Sequence, residues 1–159
     1  MSNNDVIIYT DGSSRGNPGP GGYGIVMEDC KTGFSKQYSK GFQNTTNNRM
    51  ELLAVIDALK KLKKTKLKIT VFTDSKYVVD SVEKKWIFKW KATGFKNKKN
   101  VDLWLEFLKQ QELNNISFKW IKGHNNHLQN EICDKLAYKA SENKILSIDE
   151  GYEKKNKLF

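Results

Sequence analysis

The sequence has few of the features that mark secreted, membrane-spanning or disulfide-rich proteins. Two of its 159 residues are cysteines and two are prolines. Cys30 and Cys133 provide neither a disulfide framework nor the ligand spacing of a zinc site. No apolar run approaches the roughly 18 residues of a membrane helix, and the N-terminus lacks a basic-then-apolar secretory signal. We therefore expect a soluble, cytoplasmic protein with no membrane partner.

Acidic side chains are scarce beside basic ones. The chain has 28 lysines and arginines against 18 aspartates and glutamates, which gives a formal charge of +10. Such an excess favours polyanionic partners, with nucleic acid ahead of an acidic membrane surface. Apolar residues make up 38% of the chain, which argues against global disorder. A chain of this length is expected to form one domain with a real core.

Strand-like and helix-like segments alternate along the chain, which indicates an α/β fold with helices on the sheet faces. We predict strands at 6–10, 23–28, 34–42, 67–72 and 116–121, and helices at 48–62, from 76 onward, at 101–111 and at 130–143. The glycine- and proline-rich segment 16–22 is predicted to be a loop. The charged segment 147–159 is predicted to be a flexible tail that follows a domain of residues 1–146.

Glu51 is out of place in the first predicted helix. Counting back four residues from the apolar Val55 reaches Glu51, so its carboxylate lies on the apolar stripe of that helix. An unpaired carboxylate in that position is costly. The ordinary alternative is a capping box, in which Asn48 opens the helix and Glu51 closes it.

The two strongest predicted strands end alike, with Asp11 after the first and Asp74 after the other. If these strands are parallel neighbours, the two carboxylates lie side by side at the sheet edge where open α/β folds bind ligands. Each also has an ordinary interpretation, Asp11 in a turn and Asp74 as a helix cap. Asp134 lies off the apolar side of the last helix, which on its own is typical of a solvated surface carboxylate.

Several carboxylates drawn together need a counter-charge, even in a protein with a net charge of +10. Divalent cations supply it, and oxygen ligands suit Mg²⁺ or Mn²⁺. A basic surface beside an acidic metal site is suited to phosphodiester hydrolysis, because the surface holds the strand while metals activate water.

Seven ordered motifs between about residues 6 and 142 resemble type 1 ribonuclease H, the bacterial form. They are Tyr9–Ser13, Gly16–Gly24, Thr46–Glu51, Thr73–Ser75, Asn100–Trp104, Trp120–His124 and Asn130–Asp134. The resemblance implies a five-stranded mixed sheet, with the first three strands antiparallel and the rest parallel, flanked by helices. It also implies a monomer that cleaves the RNA strand of RNA/DNA hybrids internally, leaving 5′-phosphate and 3′-hydroxyl ends.

The resemblance also assigns the catalytic residues. Asp11, Glu51, Asp74 and Asp134 match the metal-binding carboxylates, which would hold two Mg²⁺ ions when substrate is bound, with Mn²⁺ as the alternative. His124 matches a loop histidine that assists proton transfer or product release, and read without the family it is an ordinary loop residue. The residues after His124 depart from the family pattern.

Further matches concern the substrate. The asparagines 17, 47 and 48 match contacts to the 2′-hydroxyl groups of RNA, and Thr46 matches a contact to a phosphate of the DNA strand. Lys76 stands where the family commonly has a glutamine that reads the hybrid. Residues 82–99 match a basic protrusion that grips the DNA strand. The candidate contacts there are Lys84, Lys85, Trp86, Trp90, Lys96, Lys98 and Lys99.

Two other functions compete with this interpretation. Another nuclease of the same superfold, such as an integrase, transposase or resolvase core, also uses clustered carboxylates. Such a nuclease is not expected to combine the Lys122–His124 loop with an aromatic basic protrusion. A non-catalytic module that only binds hybrids is favoured by loss of one carboxylate, but all four are present.

Overall fold

A computed structural model gives the structure of residues 3–123 and 127–156. The elements are β1 (Val6–Ser14), β2 (Gly19–Asp29), β3 (Ser35–Thr45), α1 (Asn47–Lys60), β4 (Lys68–Thr73), α2 (Lys76–Glu83), α3 (Trp86–Ala92), α4 (Val101–Leu113), β5 (Asn115–Trp120), α5 (Leu128–Ser141) and α6 (Glu150–Asn156). Among the described residues, no helix combines the length and the apolar character needed to cross a bilayer.

The five strands form one mixed sheet in the order β3-β2-β1-β4-β5. The first three strands are antiparallel, whereas β4 is parallel to both β1 and β5. This confirms the predicted fold. In the central parallel pair Tyr9 lies opposite Phe72, and their rings stack with centroids 5.2 Å apart. Asp11 and Asp74 each follow two residues later, so the predicted neighbourhood of the two strand ends is also confirmed.

Helix α1 packs on one face of the sheet, against β1 and β2, and its other side contacts α4. The core between them contains fully buried side chains from sheet and helices, among them Ile8, Ile25, Leu52, Trp104 and Phe107. Helix α5 packs against β1, β2 and β3. Because alternate residues of a strand point to opposite faces, the neighbours of Tyr23 and Ile25 in β2 face α5.

The prediction of a loop over residues 16–22 is wrong in its second half, because β2 already begins at Gly19. Two glycines of β2, Gly22 and Gly24, have a packing role rather than a turn role. A Cβ on Gly22 would lie 2.6 Å from the carbonyl oxygen of Ala137, and one on Gly24 would overlap the carbonyl of Cys133. The missing side chains therefore allow the backbone of α5 to lie directly on the strand.

The predicted capping box at the start of α1 is also wrong. The N-cap is Thr46, whose side chain accepts a hydrogen bond from the backbone N–H of Arg49 at 3.3 Å. Asn48 lies inside the first turn, and Glu51 lies beyond it. The ordinary explanation for Glu51 as a capping residue is therefore removed.

The end of the chain differs from the expected flexible tail. Ser147 pairs with Phe42 at the edge of β3, and α6 follows from Glu150. Asp149 is buried, and its carboxylate accepts hydrogen bonds from Thr45 and Arg49. Composition suggested a loose segment, but these long-range contacts hold residues 147–156 against the body of the protein.

Candidate active site and nucleic-acid interface

Three carboxylates converge where the parallel strands end. Asp11 is in the last part of β1, Asp74 directly follows β4, and Glu51 reaches the same place from α1. One carboxylate oxygen from each residue lies within 4.8 Å of those from the other two. Asp11 and Glu51 are buried and Asp74 is half-buried. The structure therefore brings together residues that are up to 63 positions apart in the sequence.

Gly12 fixes two of these side chains with a single backbone N–H. That group donates to Asp11 Oδ1 at 2.9 Å and also to Glu51 Oε1. A Cβ on Gly12 would overlap the backbone of Met50, so α1 approaches β1 closely at this point. Glycine is thus required for the contact that places Glu51 beside Asp11.

Asp134 joins the group from α5. It lines the same open cavity, of about 380 Å³, as Asp11, Glu51 and Asp74. We call this cavity the carboxylate hollow. Asp134 lies close enough to Asp11 to influence its ionisation by charge and by hydrogen bonding. The alternative of an isolated surface carboxylate therefore does not describe Asp134.

Crowding of like charges changes how these groups ionise. Burial, followed by repulsion from Asp74, raises the pKa of Asp11 from 3.8 to about 8. Burial, followed by repulsion from Asp11, also raises the pKa of Glu51 well above its ordinary value. Among the described residues, neither of these two carboxylates forms an ion pair. A cation in the hollow would remove the repulsion and restore the charged forms.

The donor set fits Mg²⁺ or Mn²⁺. The described residues that line the hollow offer carboxylate oxygens, and none of them is a cysteine, methionine or histidine. Oxygen donors suit these hard cations. Lys76 lines the hollow as well. Its ammonium lies 4.7 Å from the centre of the Trp120 ring, and Trp120 Nε1 donates to the backbone carbonyl of Asp74 at 3.0 Å.

His124 lies outside the described residues. Its neighbour Gly123 is described, and a Cβ there would lie 2.5 Å from Asp74 Oδ2. Gly123, the residue before His124, therefore lies directly against one of the clustered carboxylates.

Two of the asparagines predicted to bind RNA, Asn17 and Asn47, are held by backbone hydrogen bonds beside the hollow. Asn47 Oδ1 accepts from the backbone N–H of Ser14 at 2.6 Å, and Asn17 Oδ1 accepts from the backbone N–H of Asn47 at 3.1 Å. Within the described part of the chain, the Nδ2 groups of Asn17 and Asn47 form no hydrogen bond. Both amides are thus oriented by their oxygens, and their donors remain available.

Two further cavities continue from the carboxylate hollow. One, of about 300 Å³, is lined by Asn48, Tyr77, Trp90, Asn97, Lys98, Lys99 and Asn100. The other, of about 350 Å³, is lined by Asn17, Pro18, Thr46, Asn48, Arg49, Lys99, Asn100, Tyr152 and Lys155. We call the latter the C-terminal cavity. Because Asn48 lines all three, they form one continuous surface.

The predicted protrusion, residues 82–99, consists of the end of α2, α3 and the segment that follows α3. Trp90 packs against Trp104 of α4 with ring centroids 6.0 Å apart, and Lys98 Nζ lies 5.0 Å from the Trp90 ring. Trp86 is 38% exposed. Four predicted contacts lie on the protrusion but outside the linings of the three cavities: Lys84, Lys85, Trp86 and Lys96.

Sequence reasoning missed several residues that line these cavities. Arg49, Asn100 and Tyr77 belong to recognised motifs or helices, but no local pattern marks them as cavity residues. Asn100 Nδ2 donates to Tyr77 Oη at 3.1 Å, which ties the start of α4 to α2. Tyr152 and Lys155 fall in the segment that was expected to be a flexible tail.

Comparison with known proteins agrees with the fold and identifies the family. The RNase H family model matches residues 3–142. A ribonuclease H of Desulforamulus reducens is 49% identical over 150 residues, which cover 91% of this chain and 92% of that protein.

Two solved structures extend the comparison. The crystal structure of LC9-RNase H1, a type 1 RNase H with the type 2 active-site motif, has a TM-score of 0.78 and 30% identity, covering 99% of this chain and 83% of that one. The crystal structure of LC11-RNase H1 in complex with RNA/DNA hybrid has a TM-score of 0.59 and 31% identity, covering 85% of this chain and 98% of that one. With its mixed sheet, its clustered carboxylates and these relatives, the chain belongs to the ribonuclease H family of enzymes.

Proposed function

We propose that the protein hydrolyses the RNA strand of RNA/DNA hybrids at internal positions, giving 5′-phosphate and 3′-hydroxyl products. The observation that carries the proposal is the convergence of Asp11, Glu51 and Asp74 at the head of a polar surface lined by amides and lysines. A relative of the same fold has been crystallised in complex with an RNA/DNA hybrid, which supports this substrate class.

The four carboxylates would hold two Mg²⁺ ions, or Mn²⁺, when substrate is bound. Such ions supply activation of the attacking water and stabilisation of the charge that develops at the leaving oxygen. The contribution of the chain is to keep the ligands oriented. Gly12 fixes Asp11 and Glu51, while α5 supplies Asp134 from the opposite face of the sheet.

Selection of the RNA strand depends on groups that read the 2′-hydroxyl. A 2′-hydroxyl accepts hydrogen bonds, and it is absent from DNA. Asn17 and Asn47 have Nδ2 donors that their own oxygens hold in fixed orientations beside the catalytic carboxylates. Asn48, between the three cavities, would contribute a further amide.

The DNA strand would follow the basic protrusion. Lys98 and Lys99 line its inner side, beside Trp90, and Thr46 lies further along in the C-terminal cavity. We place Lys84, Lys85, Trp86 and Lys96 on the outer part of this grip. Lys76 would supply a charge at the hollow, and His124 would assist proton transfer or release of product.

A gel assay tests this function. One labelled set of RNA/DNA hybrid, double-stranded RNA, double-stranded DNA and single-stranded RNA is incubated with the protein in Mg²⁺ or in EDTA. We expect cleavage of the RNA strand of the hybrid alone, and no cleavage in EDTA. Cutting of DNA would assign the protein to the recombinase-like nucleases of the superfold. Tight hybrid binding without cleavage in Mg²⁺ or Mn²⁺ would indicate a binding module and would overturn the proposal.

A further inference from the structure

We infer that the C-terminal helix α6 is part of the substrate grip, with Lys155 contacting a backbone phosphate of the DNA strand. The inference rests on the proposed function, because it extends the surface on which the hybrid would lie. Its starting observation is the C-terminal cavity, where Lys155 and Tyr152 of α6 face Thr46 and Lys99 across about 350 Å³. A segment outside the sheet and its main helices therefore completes a cavity beside the catalytic site.

The position of α6 is determined by a buried ion pair. Arg49 Nε lies 2.7 Å from Asp149 Oδ2, and the two side chains are 4% and 5% exposed. Asp149 Oδ1 accepts from a second Arg49 nitrogen at 2.9 Å and from the backbone N–H of Tyr152 at 3.3 Å. Asp149 thus binds α1 and caps α6 with the same carboxylate, which leaves the helix little freedom to shift.

Close packing at Gly151 reinforces this placement. A Cβ on Gly151 would overlap Asp102 Oδ2 and would lie 2.7 Å from an Arg49 nitrogen. Thr45, the residue before Thr46, also donates its hydroxyl to Asp149 at 2.7 Å. The first turn of α6 is therefore packed against Arg49, which also lines the cavity.

The charges of the cavity explain why Lys155 matters. Arg49 lines it but is neutralised by Asp149 and Asp102, so this trio carries a net charge of minus one. Lys99 and Lys155 are the lysines of the lining, and within the described residues neither forms an ion pair. With both lysines the local charge is plus one, and without Lys155 it is zero. Lys155 therefore changes the local charge from zero to plus one, which favours the binding of a phosphodiester.

The cavity also lies on the path of the substrate. It shares Asn48 and Lys99 with the cavity beside Trp90, and Asn48 with the carboxylate hollow. Its hydroxyl, amide and ammonium donors, from Thr46, Asn17 and Lys155, are the groups that bind phosphate oxygens in nucleic-acid complexes. One strand of a hybrid seated at the hollow can therefore reach this cavity along adjoining cavities.

The experiment compares Lys155→Gln with Lys154→Gln in the full-length protein. The two lysines are exposed neighbours on α6, but only Lys155 lines the cavity. Because each variant replaces one lysine with glutamine, the two have equal net charge. Hybrid affinity is measured in EDTA over a range of salt concentrations. We expect K155Q to bind about fivefold more weakly at low salt, with a salt slope smaller by about 0.9. We expect K154Q to bind like the wild type.

A second arm locates the phosphate. A hybrid series carries one neutral methylphosphonate, moved stepwise along the DNA strand. At one position the wild type should lose about fivefold in affinity while K155Q loses nothing more, because the two changes remove the same contact. Equal effects of K155Q and K154Q, or additive effects of K155Q with every methylphosphonate, would overturn the inference.

These outcomes are distinct from failure of the proposed function. Binding in EDTA does not require catalysis, so a wild-type protein that binds hybrid normally but gives identical lysine variants refutes only the role of α6. A wild-type protein that does not bind hybrid refutes the proposed function itself. Far-ultraviolet circular dichroism and thermal unfolding of both variants check that α6 stays folded.

Discussion

Helix α1 carries two buried charged residues, Arg49 and Glu51, and their surroundings are opposite in kind. Arg49 contacts Asp102 and Asp149, which are of opposite charge. Glu51 lies beside Asp11 and Asp74, which are of the same charge. Both side chains are buried, and they are two positions apart on one helix. The comparison therefore isolates the effect of charge balance from the effect of burial.

The difference is visible in how the acidic groups titrate. The hydrogen bond from Arg49 lowers the pKa of Asp102, whereas burial and repulsion raise the pKa of Asp11 to about 8. Burial lowers the pKa of Arg49, but hydrogen bonds and charges from Asp102 and Asp149 outweigh burial, so the pKa is raised. The Arg49 cluster pairs opposite charges and stabilises the fold with no added ion. The Glu51 cluster contains only acidic groups and needs an added cation, which distinguishes a metal site from a structural ion pair.

The largest expected effect comes from removing one carboxylate of the Glu51 cluster. We expect Asp11→Asn to reduce cleavage of the hybrid by about 10³-fold or more, because metal binding and charge stabilisation fail together. Hybrid binding should persist or tighten, since repulsion between carboxylates and phosphate is reduced. Initial rates and affinity are measured beside Glu112→Gln, which removes an exposed carboxylate on α4. Cleavage by purified D11N at the wild-type rate would contradict the metal assignment.

Breaking the Arg49 cluster should instead lower the stability of the fold. We expect Asp149→Ala to lower the free energy of unfolding by about 3 kcal/mol, because it removes a buried partner of a buried arginine. Asp102→Ala should cost about 1 kcal/mol, since that side chain is 47% exposed. Urea denaturation of the two variants measures the difference. Equal losses would mean that burial does not separate the two halves of the ion pair.

A smaller effect concerns protons. Without metal, folded protein holds a proton on Asp11 that the unfolded chain has released between pH 3.8 and about 8. Because the pKa is raised in the folded state, this group contributes stability that is lost as pH rises through that window. Binding of Mg²⁺ at pH 7 should release protons, and its affinity should fall as pH decreases. Calorimetry in buffers of different ionisation enthalpy measures the release.

Matched variants sharpen that measurement. Proton release should decrease in Glu51→Gln, which removes a group whose pKa is raised, and should stay unchanged in Asp102→Asn, because the pKa of Asp102 is already low. Binding of Mg²⁺ without proton release by the wild type would show that the carboxylates are ionised before the metal arrives.

The same contrast shows what the sequence could predict. Asp11 and Asp74 follow β-branched strands, and Glu51 interrupts an apolar stripe, so local patterns identified three of the clustered carboxylates. Arg49 bonds to partners 53 and 100 positions away, and no local pattern records such distances. For the same reason composition suggested a flexible tail where Asp149 is buried.

Local chemistry also misled where the reason for a residue lay on another element. Residues 16–22 were predicted to form a loop because they are rich in glycine and proline, but Gly22 lies in β2, where its missing side chain leaves space for the backbone of α5. The helix was predicted to start at Asn48, but its cap is Thr46, two positions earlier, whose hydroxyl accepts a hydrogen bond from the first turn. Tertiary packing decided both cases.

Gly24 links the packing of α5 on β2 to the position of Asp134. It lies opposite Asp11 in the pairing of β1 with β2, and the carbonyl of Cys133, the residue before Asp134, occupies the space where its Cβ would be. The absence of a side chain at this position therefore allows α5 to lie close to the sheet. A larger residue at position 24 would move α5, and with it Asp134, away from Asp11, so the spacing of these two carboxylates depends on Gly24.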